Sequence, residues 1–308
     1  ETIPKVAASF DQPFGNSSAV PAFCCARVAR EAGVTRLLAG DGGDELFGGN
    51  SRYAQQKVLS WYGHLPAVLR THALEPVLLR TPVGGIPLVR KVASYVRQAR
   101  VPMPDRMHTY NLLQHLGIHK VLEPRFLAQV DTLAPAAHQR QVWSQTVGPC
   151  ELDRMLAYDW RYTLAENDLV KVKGATELAG VSVGFPLLDE RLVAFSMRLP
   201  ERDKVRGLKL RWFFKQALRD ILPPEIIRKR KQGFGLPFGL WATEHSGLFE
   251  LAEDSVQGVV RRGIVRAAFA DELLNRQLRE HPGYYGEMIW VLMMLEQWLR
   301  VHAPDYAA

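Results

Sequence analysis

The chain has little cysteine. Cys24, Cys25 and Cys150 are the only three in 308 residues. Two of them are adjacent, which is poor geometry for a mutual bridge, and no CxxC pair occurs. A disulfide scaffold and a zinc ribbon are both disfavoured, so a reducing, cytoplasmic setting is the expectation. Long apolar runs are missing as well. Nothing approaches the ~18 consecutive apolar residues of a membrane helix, and no membrane partner is expected. The first residues, ETIPKVAASFDQPFG, lack a basic segment followed by an apolar one, so they do not read as a signal peptide. They also lack an initiator Met, and the chain is expected to begin inside a longer protein. No Walker A loop and no G-x-S-x-G elbow is present. His115 and His119 are spaced for zinc in HLGIH, but no glutamate follows His115 and no third ligand is evident. No internal repeat or low-complexity tract is found.

What is there is an ordinary globular composition. Hydrophobic residues make up 47% and charged residues 23%. That is enough for one large core or two ordinary ones. The formal net charge of +7 suits anionic ligands such as nucleotides. It does not by itself indicate nucleic-acid binding.

Along the chain, residues 17–33 read as a helix capped by Asn16 or Ser17 and ended by Gly33. Val34–Ala39 (VTRLLA) reads as a buried strand. The glycine-rich acidic loop GDGGDE follows it directly. Ligands of α/β sheets sit outside the carboxyl ends of strands, so chemistry is expected at residues 40–45. Prolines break residues 55–150 into short helical pieces with no clear strand. Residues 151–179 read as a long helix or helix pair. Residues 208–222 read as an amphipathic helix with a basic side, stopped by Pro223 and Pro224. Residues 286–300 are apolar nearly all round and read as a buried helix. The cluster Met288, Trp290, Met293, Met294 and Trp298 belongs to its core. The expected organisation is an α/β part over 1–54 and a mostly helical part over 55–308.

Within residues 37–49 (LLAGDGGDELFGG), Asp41, Asp44 and Glu45 place three carboxylates in five positions around Gly42 and Gly43. Such a loop can hold Mg²⁺ beside phosphate oxygens. It can equally be a solvated turn whose acids cap the next helix. Lys209, Arg211 and Lys215 fall on the basic helix, where 211 and 215 share a face. Lys229 and Lys231 lie in the run RKRK, which read alone is a solvated basic face or a nucleic-acid or localisation patch.

Four stretches in order resemble the asparagine synthetase family. They are FDQPFGNSSAVPAF leading into LLAGDGGDELFGG, then FPLLDERLVAFSMRLP (185–200), KLRWFFKQALRDILPPEII (209–227) and RKRKQGFGLP (228–237). The resemblance implies the C-terminal portion of an α/β synthetase domain of the adenine-nucleotide alpha-hydrolase (PP-loop ATPase) type, with an incomplete sheet and a predominantly helical remainder. It implies a carbon–nitrogen ligase of amino-acid (asparagine) biosynthesis. ATP and Mg²⁺ would activate a small-molecule carboxylate by adenylation, and glutamine-derived ammonia or another amine would displace AMP. No nucleic-acid partner is implied, and a homodimer is left open. By position, Asp44 would be the Mg²⁺–pyrophosphate ligand. Gly40, Asp41, Gly42, Gly43, Glu45, Lys229 and Lys231 would contact substrate or ATP. Lys209, Arg211 and Lys215 would carry the catalytic positive charge.

The family's S-G-G-x-D-S loop is absent, and truncation is the expected reason, so this chain alone is expected to be inactive. Other departures are internal. Ser182 and Gly184 stand where the family has Glu-x-Arg, Lys173 where it has Asp, and Arg211 where its basic helix starts with lysine. Arginine stays charged and cannot serve as a general acid in the same way. These departures motivate the alternative of a catalytically degenerate, synthetase-like interaction module.

Overall fold

The computed structural model describes residues 1–70, 72, 75–76, 87–229 and 233–308. Lys231 lies outside the described residues. The fold is predominantly helical, with one small two-stranded sheet among the described residues.

Two helices open the chain, α1 (Thr2–Ala8) and α2 (Ala19–Glu31). Asn16 does not cap α2 directly. Its Oδ1 accepts from the Ser18 N–H at 3.0 Å, shaping the turn before the helix. Gly33 ends the segment with φ of 80°, as a left-handed stop requires. Strand β1 (Arg36–Leu38) is shorter than expected and is not buried, since Leu38 is 73% exposed. The reason is the partner count. β1 pairs in parallel with a single strand, β2 (Ser182–Gly184), in the register Arg36 to Ser182 and Leu38 to Gly184. A parallel sheet is normally covered on both faces, and this pair is open.

After β1 come the short α3 (Gly43–Phe47) and α4 (Ser51–His64), whose Asn50 cap accepts from the Arg52 N–H at 3.1 Å. The long helix is one continuous run. α5 (Glu151–Asp159) passes through a π-type segment (Trp160–Asp168) into α6 (Leu169–Leu178). The basic helix is much shorter than expected. Only α7 (Trp212–Ala217) forms, because Gly207 and Arg211 both adopt positive φ, and 206 bridges 209 as extended chain. Lys209 therefore precedes the helix and Arg211 is its N-cap residue, so of the three cations expected on one helix only Lys215 lies within it.

α8 (Phe238–Glu244), α9 (Ser246–Arg261) and α10 (Pro282–His302) complete the fold. Ile289, Trp290, Met293 and Met294 of α10 are fully buried beside Val6, Phe10 and Phe23. Trp290 Nε1 donates to the Gly15 carbonyl and Trp298 Nε1 to the Phe10 carbonyl, each at 3.0 Å. The indoles thus anchor the segment that leads into the acidic loop. A second apolar cluster gathers Tyr53, Trp143, Met155 and Tyr158 around α5. No described helix is long and apolar enough to cross a membrane.

Candidate functional site

The acidic loop sits at the carboxyl end of β1, where a parallel strand pair places ligand-facing groups. Gly42 holds φ of 92° and lies against Leu188, while Gly43 lies against Leu187. A side chain at 42 would be strained and would collide with Leu188. This contact sets the distant FPLLD segment against GDGGDE as the floor of the turn. Asp189 of that segment caps the next helix, its Oδ1 accepting from the Arg191 N–H at 3.0 Å.

Asp44 forms an ion pair with Arg211, Nη2 to Oδ1, joining two segments 167 residues apart. Two features hold Arg211 there, against the cost of its own backbone conformation. Its N–H donates to the Gly48 carbonyl at 3.2 Å. Phe47 and Phe214 stack at 4.8 Å between centroids. Arg211 itself has φ of 52° and ψ of 37°, a left-handed conformation that costs a non-glycine residue ~1–2 kcal/mol. A Cβ at Gly49 would overlap both Asp44 Oδ1 and Arg211 Nε.

The other acids have different surroundings. Burial raises the Asp41 carboxyl above the usual range, Lys171 pulls it back down, and Asp168 and Asp44 push it up again. Lys171 Nζ donates to Asp168 Oδ1 at 2.7 Å. Glu45 is 6% exposed, and its carboxyl is raised to about 7, chiefly by burial and then by Asp44, Asp159 and Asp168. Asp159 is fully buried and accepts from Tyr53 Oη at 2.6 Å and Thr163 Oγ1 at 3.1 Å, with Arg52 Nε 3.1 Å away.

Of the expected site residues, the structure brings Asp44 and Arg211 into contact and sets Gly40, Asp41, Gly42, Gly43 and Glu45 on the same short turn. Lys215 follows Arg211 by one helical turn, its N–H donating to the Arg211 carbonyl at 3.0 Å. Lys209 is exposed, with Nζ over the Trp212 ring at 5.5 Å. Lys229 is exposed just after a short helix (Pro224–Arg228). Sequence reasoning missed the Lys171–Asp168 pair beside Asp41. The i,i+3 spacing of Asp168 and Lys171 on a long helix was the available signal. Ser182 and Gly184 lie on β2, alongside Arg36 and Leu38 of β1.

No group of three or more histidines, cysteines or acids able to hold a metal gathers among the described residues. Asp44 is one carboxylate already bridged to a guanidinium. The described residues by themselves present no finished Mg²⁺ site.

A glycine-bracketed acidic turn at the end of a parallel strand, with an arginine brought onto it from far along the chain, fits an incomplete α/β synthetase-like fold with a predominantly helical remainder. The family model described as asparagine synthase matches residues 1–300, and the chain belongs to that family. A Mycobacterium bovis protein, named provisionally as an asparagine synthetase (glutamine-hydrolyzing), is 25% identical over 303 residues. That match covers 96% of this chain and 44% of the relative. Asparagine synthetase (glutamine-hydrolyzing) 1 of Bacillus subtilis is 20% identical over 304 residues, covering 96% of this chain and 45% of its own length. The chain thus spans less than half the length of these relatives.

Proposed function

We propose that the chain is the C-terminal part of an ATP- and Mg²⁺-dependent synthetase of the PP-loop type. Such an enzyme activates a carboxylate by adenylation and joins it to ammonia from glutamine, or to another amine. The observation that carries this reading is the Asp44–Arg211 contact within a chain that matches the family over residues 1–300. Arg211 supplies a permanent positive charge for a leaving pyrophosphate, and Lys215, Lys209, Lys229 and Lys231 supply others. Arg211 holds charge and moves no proton. Asp44 belongs to the binding of Mg²⁺ and pyrophosphate, which requires its bridge to Arg211 to open or to share the carboxylate.

The test uses the full-length protein. Pyrophosphate release is followed with ATP, glutamine or ammonia, and a panel of carboxylates. Release that depends on one acid and falls ~100-fold or more in Asp44→Asn supports the reading. Release with an acid other than aspartate keeps the class and removes asparagine as product. No release with any acid overturns the reading. It would favour a degenerate interaction module, the reading that Ser182 and Gly184, which offer no ionisable side chain on β2, would then support.

A further inference from the structure

His115 and His119 carry a zinc spacing in the sequence, and the structure gives them a different setting. They border a cavity of about 520 Å³ together with Lys120, Arg266, Glu272 and Tyr285. Its volume lies within the ~300–1,000 Å³ range of small-ligand sites. No lining residue belongs to the acidic turn or to the Arg211 segment. Two distant stretches build the cavity, and main-chain bonds fix them to each other. The Arg266 N–H donates to the Val121 carbonyl and the Glu123 N–H to the Ile264 carbonyl, each at 3.0 Å. Val121 and Val265, the neighbours of Lys120 and Arg266, are 0% exposed. The backbone beneath both cations is thus anchored in the core.

The lining is rich in nitrogen donors and short of free acid. Lys120 and Arg266 are exposed, and neither pairs with a carboxylate among the described residues. Arg266 Nη1 donates to the His119 carbonyl at 3.1 Å, a neutral partner that leaves the charge uncompensated. Glu272 is the acid on the wall, and it is already taken. Arg276 Nη2 and Gln277 Nε2 both donate to its Oε1. A metal reading fails on the same atoms. His115, His119 and Glu272 do not gather as a metal-binding group. His115 Nε2 meets the Thr109 carbonyl, which only accepts, so that nitrogen carries a proton. Beside the donors the wall turns apolar, with Leu116, Phe269 and the Tyr285 ring packed on the helical core. Two fixed cations suit a dianion. An amine would meet two like charges, and a monoanion would leave one cation unmatched.

We propose that this cavity binds a dianionic phosphate group, with Lys120 Nζ and the remaining nitrogens of Arg266 on its oxygens. The group comes as inorganic phosphate or as a small phosphate monoester, whose body lies on Leu116, Phe269 and Tyr285. Hydrogen bonds from lysine and arginine to phosphate are charge-assisted, and they are roughly twice as strong as neutral ones. This is a statement about binding at a second place on the chain, and it holds or fails independently of whether the full-length protein forms amides.

The experiment is calorimetric titration of the purified protein with phenyl phosphate, inorganic phosphate and benzoate. Phenyl phosphate is expected to bind about ten-fold or more tighter than benzoate, the effect of a second charge-assisted hydrogen bond. Inorganic phosphate binding as tightly as phenyl phosphate supports the proposal with the free ion as ligand, and weaker binding supports it with a monoester. Lys120→Ala, at an exposed position, weakens phenyl phosphate about ten-fold or more, and adding Arg266→Ala removes the binding. The event that Lys120→Ala weakens survives Lys215→Ala, which lies by the acidic turn. Binding lost in Lys215→Ala and kept in Lys120→Ala places the anion at that turn and overturns the proposal. Absence of phosphate binding, or benzoate bound as tightly as phenyl phosphate, overturns it too. A thermal melt checks that the variants are folded. Should Arg266→Ala not be, undiminished phenyl phosphate binding in Lys120→Ala overturns the proposal on its own.

Discussion

In the helical body, Ile289, Trp290, Met293 and Met294 of α10 are at most 1% exposed, and their neighbours are apolar side chains from both ends of the chain. At the junction of β1, α3 and the long helix, Leu38 is 73% exposed, while Glu45 at 6% and Asp159 at 0% are buried acids. The two regions are held together by opposite means. The body removes apolar surface from water and asks little of electrostatics. The junction leaves apolar surface outside and takes charge inside, an arrangement that costs stability and suits ligand handling.

The largest expected effect lies in the body. Trp290→Ala should destabilise by ~3–5 kcal/mol, because it opens a cavity and frees the Gly15 carbonyl. Urea unfolding measures it, and a loss under ~1 kcal/mol would show that the body is looser than its burial implies. At the junction, pH is the sharper probe. The Glu45 carboxyl is raised from 4.5 to about 7 in the folded chain, so the fold binds more protons there than the unfolded chain between those values. Its contribution to stability is therefore lost as pH rises from 4.5 through about 7. Glu45→Gln should stabilise the protein by about 3 kcal/mol near pH 8 and by almost nothing below pH ~4. Parallel stability–pH profiles of the two proteins would place the charge cost elsewhere.

Tyr53→Phe is a smaller perturbation of the same junction. It removes one of the hydrogen bonds to Asp159 and should cost ~1–3 kcal/mol by thermal unfolding. An unchanged melt would mean that Thr163 and Arg52 suffice. The smallest effect is predicted for Leu38→Ser on the open strand, within ~0.5 kcal/mol of the unsubstituted chain. A larger loss would reveal that something covers β1 in solution and would blur the contrast between the regions.

The same contrast decides what could be read from the residues. α10 was legible because an unbroken apolar stretch has only one comfortable home, the middle of a helical core. The run over 151–178 was legible from its period. β1 was legible as a strand but not as an exposed one, since exposure depends on which strands lie beside it. β2 was invisible, because Ser-Val-Gly carries no alternation long enough to register. The basic helix was overextended for a related reason. Lysine, leucine and arginine are good helix formers, and nothing local announces that Arg211 turns left-handed to reach Gly48. In the site, the acidic turn and Arg211 stood out in the sequence, but the separation of Asp44 from Glu45 did not. Neighbours on a helix differ by ~100° in direction, and only packing shows what each one meets.

Gly49 gives the site a fixed gauge. The space a methyl group would fill is occupied by the carboxylate of Asp44 and the guanidinium of Arg211. The backbone at 49 is thus a hard stop against which both groups rest. A methyl group at 49 would press on both partners of the bridge at once, so the missing side chain is what lets the carboxylate and the guanidinium lie against the backbone together.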